Sequence, residues 1–230
     1  MAYRLNKFIS ILILLIMLLS VLGCRPKAAS IEEVTFPDSN LERIIRKVTL
    51  KYEGPILRPD LEKLTFLYGM NSNVTNLTGL EHCINLTKLE FSFNDISDIS
   101  PLASLTNLTE LWLVNNQISD VSPLAPLTRL TELDLSGNEI SDISPLASLN
   151  RITELHLEEN EISDISPLAS LINLKVLGLR NNQIRDISSL VSLTGLIELH
   201  LDNNPLSAES VNIYLPIFRE RGVSLEYIYE

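Results

Sequence analysis

Leu130-Thr131-Glu132-Leu133-Asp134-Leu135-Ser136-Gly137-Asn138-Glu139-Ile140 is the stretch on which the reading of this chain turns. Leu133 and Leu135 alternate with Glu132, Asp134 and Ser136, the period-two pattern of a strand with one buried face. The string recurs at a fixed step: Asn94, Asn116, Asn138, Asn160, Asn182 and Asn204 fall 22 residues apart without a slip. Projected backward, the step reaches Leu64, Leu67 and Val74, with Ser72 standing where an asparagine belongs. Seven units result, beginning near Leu61, Cys83, Leu105, Leu127, Leu149, Leu171 and Leu193. One such strand cannot bury its leucines alone, whereas stacked units share a continuous core.

The bend after each strand carries its own logic. An asparagine turned inward there can satisfy backbone groups that would otherwise be buried unpaired. After the bend, Asp120-Val121-Ser122-Pro123-Leu124 reads as a short helical turn with serine as its cap and proline as its first residue. Pro101, Pro145 and Pro167 recur in register, while Gly79 and Ser189 mark less regular end units. The expected architecture is an α/β repeat solenoid. A curved parallel sheet of seven strands forms the concave face, roughly 29 Å across at about 4.8 Å per strand. Short helical turns form the convex face.

A stacked core has two open ends that need covering. Asp38 is placed to cap a helix in which Leu41, Ile44, Ile45 and Val48 recur at helical spacing, and a second turn begins at Pro59-Asp60. Beyond Asn204, Ser207 opens a helix that buries Val211, Tyr214, Leu215 and Phe218 and ends at Gly222, with Pro216 kinking it. Val223 to Tyr227 alternates like a last strand. The segments are therefore a signal peptide at 1–23, a tether at 24–30, a helical cap at 31–60, the repeats at 61–206 and a helix-strand cap at 207–230.

Composition narrows the function. The chain has 230 residues with 29 acidic against 18 basic side chains, a formal charge of −11. A nucleic-acid footprint needs clustered Lys and Arg, which this balance argues against. Two cysteines make neither a disulfide scaffold nor a four-ligand zinc site. Cys83 occupies the slot of Leu105 and Leu127 and reads as a buried structural thiol. At the N-terminus, Arg4 and Lys7 precede an apolar run from Phe8 to Leu22, too short to span a bilayer and typical of an export signal.

Val21-Leu22-Gly23-Cys24 resembles the lipobox of bacterial lipoproteins, with valine at its first position. The resemblance implies that Cys24 is acylated and becomes the mature N-terminus. Cleavage there removes Arg4 and Lys7 and no acid, taking the formal charge from −11 to −13. Several acyl chains on one cysteine give stable anchoring. The protein is expected to be exported and held at a bacterial membrane.

The pattern L-x-x-L-x-L-x-x-N-x-I is identified as the leucine-rich repeat. Its 22-residue length and the D-I-S-P-L segments at Asp98, Asp142 and Asp164 resemble the internalin class of bacterial leucine-rich-repeat proteins. Phe36-Pro37-Asp38-Ser39-Asn40-Leu41 followed by Ile44-Ile45-Arg46 is similar to that family's helical N-cap. The likeness runs from about Phe36 to Leu206. It implies protein binding on the concave sheet face. Neither a wall-sorting signal nor a downstream immunoglobulin-like domain is seen, so a role in invading host cells is not carried over.

Three outward columns are expected on that face. One reads Phe66, Lys88, Glu110, Glu132, Glu154, Val176, Glu198; the next reads Tyr68, Glu90, Trp112, Asp134, His156, Gly178, His200; a third runs Met70, Ser92, Val114, Ser136, Glu158, Arg180, Asp202. Trp112, the only tryptophan, is either an interface anchor with Tyr68 as companion or a ring laid over its neighbours. Phe93 reads as edge packing. Glu110, Glu132 and Glu154 form an acidic ladder, either a solvated face or a surface complementary to a basic partner. The partner-binding set is Trp112, Tyr68, Glu110, Glu132, Asp134, Glu154 and His156. His156 and His200, two units apart, lack the third ligand that a shared metal needs, so no metal or other cofactor is expected. No nucleophile has a base predicted beside it, and an open face offers no pocket to shift a pKa. The expected protein is a monomeric binding module and not an enzyme, with a passive envelope spacer as the rival reading.

Overall fold

The structure, a computed structural model, describes residues 32–227. The signal peptide, Cys24 and the tether lie outside the described residues. From Glu33 onward the chain forms a single unit. Helix α1 (Ser39–Thr49) opens it, capped by Asp38, whose Oδ1 accepts from the backbone N–H groups of Asn40 and Leu41. The one-turn helix α2 (Arg58–Leu61) follows. Then come strands β1 (Phe66–Tyr68), β2 (Lys88–Glu90), β3 (Glu110–Trp112), β4 (Glu132–Asp134), β5 (Glu154–His156), β6 (Val176–Gly178) and β7 (Glu198–His200). A five-residue π-helical turn (Ser210–Tyr214), helix α3 (Leu215–Glu220) and strand β8 (Ser224–Glu226) close the unit.

All eight strands pair in chain order, each parallel to the next and 22 residues in register through β7. The expected seven-stranded sheet is thus extended by the alternating strand of the C-terminal cap, Leu225 pairing beside Leu199. The central leucine of every repeat strand, from Leu67 to Leu199, is fully buried. Burying one such side chain contributes about 1.5–3 kcal/mol, and each gains it only because the adjacent unit is present.

The inward asparagines behave as expected. Asn116 Nδ2 donates to the carbonyls of Leu113 in its own unit and Phe91 in the unit before, while its Oδ1 accepts from Ile96 N–H. Asn138, Asn160, Asn182 and Asn204 repeat the arrangement, so each asparagine stitches two units together. Before the first asparagine the stitch is made by Asp38, whose Oδ2 accepts from Thr75 and Asn76 N–H.

Two local expectations are corrected. The convex turns are 3-10 helices that begin at the serine itself, with proline second; serine caps nothing. The capping acceptor is the aspartate two residues earlier: Asp120 Oδ1 takes Ser122 N–H at 2.8 Å, and Asp98, Asp142, Asp164 and Asp186 do the same for Ser100, Ser144, Ser166 and Ser188. A carboxylate two residues ahead reaches the free N–H without taking the serine out of the turn. In the C-terminal cap, Pro216 falls near the start of α3, and the preceding turn widens so that Leu215 N–H reaches back five residues to Ser210 O. That wider turn takes up the clash a proline ring makes with the carbonyl four residues before it.

Candidate functional site

The parallel register lines up the outward residues of the strands as two adjacent columns. Glu110, Glu132 and Glu154 are direct neighbours in one, and Trp112, Asp134 and His156 in the other. Tyr68 heads the second column, next to Glu90. All seven residues of the expected binding set therefore share one solvent-facing sheet surface. They do not share one environment.

Glu110 is engaged by Lys88 at 2.7 Å, which also raises the lysine's pKa. Glu132 accepts a 2.8 Å hydrogen bond from the indole Nε1 of Trp112. The tryptophan is consequently half-buried and oriented, with its polar edge turned toward a carboxylate and not toward solvent. Asp134 takes both the N–H and the hydroxyl of Ser136, at 3.0 and 2.6 Å. The Glu154 side chain is exposed and makes no hydrogen bond or ion pair among the described residues, although its charge helps to raise the His156 pKa.

His156 belongs to a cluster that strand alternation did not point to. Its Nδ1 lies 3.4 Å from Glu158 Oε1, and Glu158 Oε2 lies 3.0 Å from the Ser136 hydroxyl, whose one proton it shares with Asp134. The bond to Glu158 holds the imidazole pKa above its ordinary value. Burial alone pushes the Glu158 carboxyl upward, but the hydrogen bonds from His156 and Ser136 outweigh it and leave the group below the usual range. Room for this carboxylate comes from Gly178: a Cβ there would lie 1.9 Å from Glu158 Oε1. The signal in the sequence was the gap itself, a glycine between two histidines in an otherwise filled column. Further along, Arg180 pairs with Asp202 at 3.1 Å and with Glu226. His200 is pushed below the ordinary imidazole value by burial and by Arg180.

Lys88 and Arg180 are the only Lys or Arg residues in the three columns, and carboxylates hold both. Glu132 and Glu154 form no ion pair among the described residues, although Lys88 and His156 lie within electrostatic reach of them, so acid remains in excess on the face. Among the described residues no three His, Cys, Asp or Glu side chains converge as metal ligands. Cys83 is buried, and burial pushes its thiol up to about 12, which leaves it inert as a nucleophile.

Apolar exposure concentrates toward β1 and β2: Phe66, Tyr68, Met70 and Phe93 are each about half exposed, at 57, 55, 55 and 47%. Phe93 was expected to pack at an edge and instead points to solvent from a left-handed backbone, φ 58°. The equivalent positions, Asn71, Asn115, Gly137, Glu159, Asn181 and Asn203, share that conformation. Asparagine and glycine suit it; a phenylalanine is strained there.

A sequence model described as Leucine Rich repeats (2 copies) matches residues 84–126, 128–170 and 172–212. Among solved structures the chain is similar to an internalin, inlF, of Listeria monocytogenes at 30% identity and a TM-score of 0.69, covering 88% of this chain and 68% of that one. Internalin C2 of the same organism gives 33% identity and 0.67, with 87% of this chain and all of that one covered. The leucine-rich-repeat ectodomain of the Arabidopsis thaliana receptor kinase GASSHO1/SCHENGEN3, solved in complex with CASPARIAN STRIP INTEGRITY FACTOR 2, gives 26% and 0.58 over 64% of this chain and 19% of that one. The comparison with curated protein sequences gives no match.

Proposed function

The chain belongs to the bacterial leucine-rich-repeat proteins of the internalin kind, and on that premise we propose that its open sheet face holds a protein partner. The contact set is Trp112, Tyr68, Glu110, Glu132, Asp134, Glu154 and His156. The observation that carries this reading is the excess of acid on a rigid sheet: of Glu110, Glu132 and Glu154 only Glu110 forms an ion pair among the described residues, with Lys88. A partner with a basic surface gains both attraction and faster encounter from such a column. Trp112, pinned by Glu132, supplies area already held in place, so little rotamer freedom is lost on binding.

The same reading places the protein outside the cytoplasm. Residues 1–23 serve as a lipoprotein signal peptide, Cys24 carries the lipid, 24–30 form the tether, 31–60 and 207–230 are caps, and 61–206 are the working repeats. No helix among the described residues is long and apolar enough to cross a membrane. In this scheme a lipid on Cys24 holds the protein to the membrane. The protein works as a monomeric binding module, not an enzyme, and needs no cofactor.

Two measurements test this. Metabolic labelling with a radioactive fatty acid should mark the wild-type chain and leave Cys24→Ala unmarked. Comparative capture from envelope extracts, with the full chain and with a Trp112→Ala plus Glu154→Lys variant as baits, should retain a protein only on the wild type. Equal capture by both folded baits would remove the sheet face from the mechanism and leave the spacer reading.

A further inference from the structure

The sheet face changes character at its N-terminal end. Phe66 and Tyr68 stand exposed side by side on β1, ring centroids 5.7 Å apart. Between Tyr68 and helix α1 lies a cleft of about 370 Å³, walled by Arg43, Ile44, Lys47, Val48, Tyr68 and Ser72. Val48 is 39% exposed and Tyr68 55%, so its apolar lining is open to a ligand.

The cations of this cleft differ from their neighbours. Arg46 is held by Glu42 and by the carbonyls of Lys51 and Gly54; Lys51 and Lys63 are held by Asp60; Arg58 is held by Glu62. Arg43 and Lys47, one turn apart on α1, are exposed, and their side chains make no ion pair or hydrogen bond among the described residues. Two unmatched positive charges beside an aromatic wall thus adjoin a face whose unmatched charges are otherwise negative. A carboxylate next to a bulky apolar side chain fits both halves of the cleft, through charge-assisted hydrogen bonds and ring contact.

We propose that the cleft between α1 and β1 is a docking subsite for an acidic segment of the partner protein, one in which Asp or Glu neighbours a bulky apolar residue. The proposal rests on the reading of the sheet face as a protein-binding surface and adds a polarity to it. The partner lies with its acidic-apolar segment over α1 and its basic surface along Glu132 and Glu154. A bilayer is disfavoured as occupant because a flat surface cannot enter a cleft whose aromatic wall belongs to the sheet.

The test uses the full chain in detergent and fluorescence anisotropy with two short labelled peptides. One alternates glutamate with phenylalanine, and its twin carries lysine for glutamate. The acidic peptide should bind at least about tenfold more tightly than its twin. Binding should weaken with added salt, be lost in an Arg43→Glu plus Lys47→Glu variant, and weaken about tenfold in Tyr68→Ala. Circular dichroism checks that the exposed substitutions leave the fold intact. Equal binding of the two peptides, unchanged binding in the double variant, or displacement of the peptide by phosphatidylglycerol added to the micelles would each overturn the subsite. Glu154→Lys separates the two readings: it should abolish partner capture while leaving acidic-peptide binding unchanged. Peptide binding with Glu154-independent capture would retain the subsite and remove only the acidic column.

Discussion

Two columns of polar side chains run through this protein at the same 22-residue step, one inside and one outside. Asn94 through Asn204 sit inside, each about 8% exposed, and each satisfies the same set of backbone groups in its own and the preceding unit. Glu110, Glu132 and Glu154 lie outside, and each does something different: an ion pair, an indole hydrogen bond, and a through-space charge on His156 with no bond of its own. An environment that repeats dictates its residue. One that does not repeat leaves the residue available, and a binding function can be written only where the fold makes no demand.

That contrast can be broken at the inside column. Asn138→Ala leaves Ile118 N–H without its partner, while the carbonyls of Leu113 and Leu135 each lose one of two amide donors and keep Asn116 and Asn160. The unmet N–H and the lost amide bonds should cost about 2–3 kcal/mol, read as a lower urea midpoint with an unchanged slope. A loss under about 0.5 kcal/mol would mean that water replaces the amide and that the ladder does not hold the units together.

Gly178→Ala probes the outer face where it comes nearest to behaving like the interior. The new methyl meets Glu158 and should displace it from His156 and Ser136, with a loss of about 1–2 kcal/mol. The pair also has a pH signature. His156 has a raised pKa in the folded protein, so its contribution is complete below the ordinary imidazole value of 6.5 and is lost as pH rises through the folded value. Glu158 has a lowered one, so its contribution is complete above 4.5 and is lost as pH falls through the folded value. The pair is therefore strongest between about 4.5 and 6.5. Stability against pH for wild type and Glu158→Gln should diverge in that window; parallel curves would show that the contact contributes nothing.

Smaller effects sharpen the comparison. Phe93→Asn relieves a left-handed backbone that suits asparagine but gives up the covered half of the ring, so the net change should stay within about 1 kcal/mol. Glu154→Lys should change the unfolding midpoint least, within about 0.5 kcal/mol, because the side chain is exposed and without a hydrogen bond or ion pair. On the proposed function its effect falls on partner capture. A stability change above 1 kcal/mol there would erase the distinction between the two columns.

Much of this was legible in the order of residues. Asn138 and its equivalents, the leucines beside them and the caps at Asp38 and Ser207 follow from period and residue chemistry. The turn at Asp120 was read only in part, since a 3-10 turn and a capped helical turn present the same D-x-S-P string and differ in which oxygen meets the serine N–H. Ser136, Glu158 and Gly178 were passed over as a group because they stand on different units, and no spacing within one unit connects them.

By itself, then, the sequence determined the repeat, its register, the buried leucine column and the membership of each outward column, because a 22-residue period leaves one stacking that buries all the leucines. What each outward side chain does was decided by the tertiary structure alone. Trp112 meets Glu132 across 20 residues, Ser136 meets Glu158 across 22, and Asp38 meets Thr75 across 37. In a solenoid the neighbours that compete for a side chain come from the next turn of the stack. Which competitor wins depends on rotamers and on room, such as the space over Gly178, that exist only once the units are assembled.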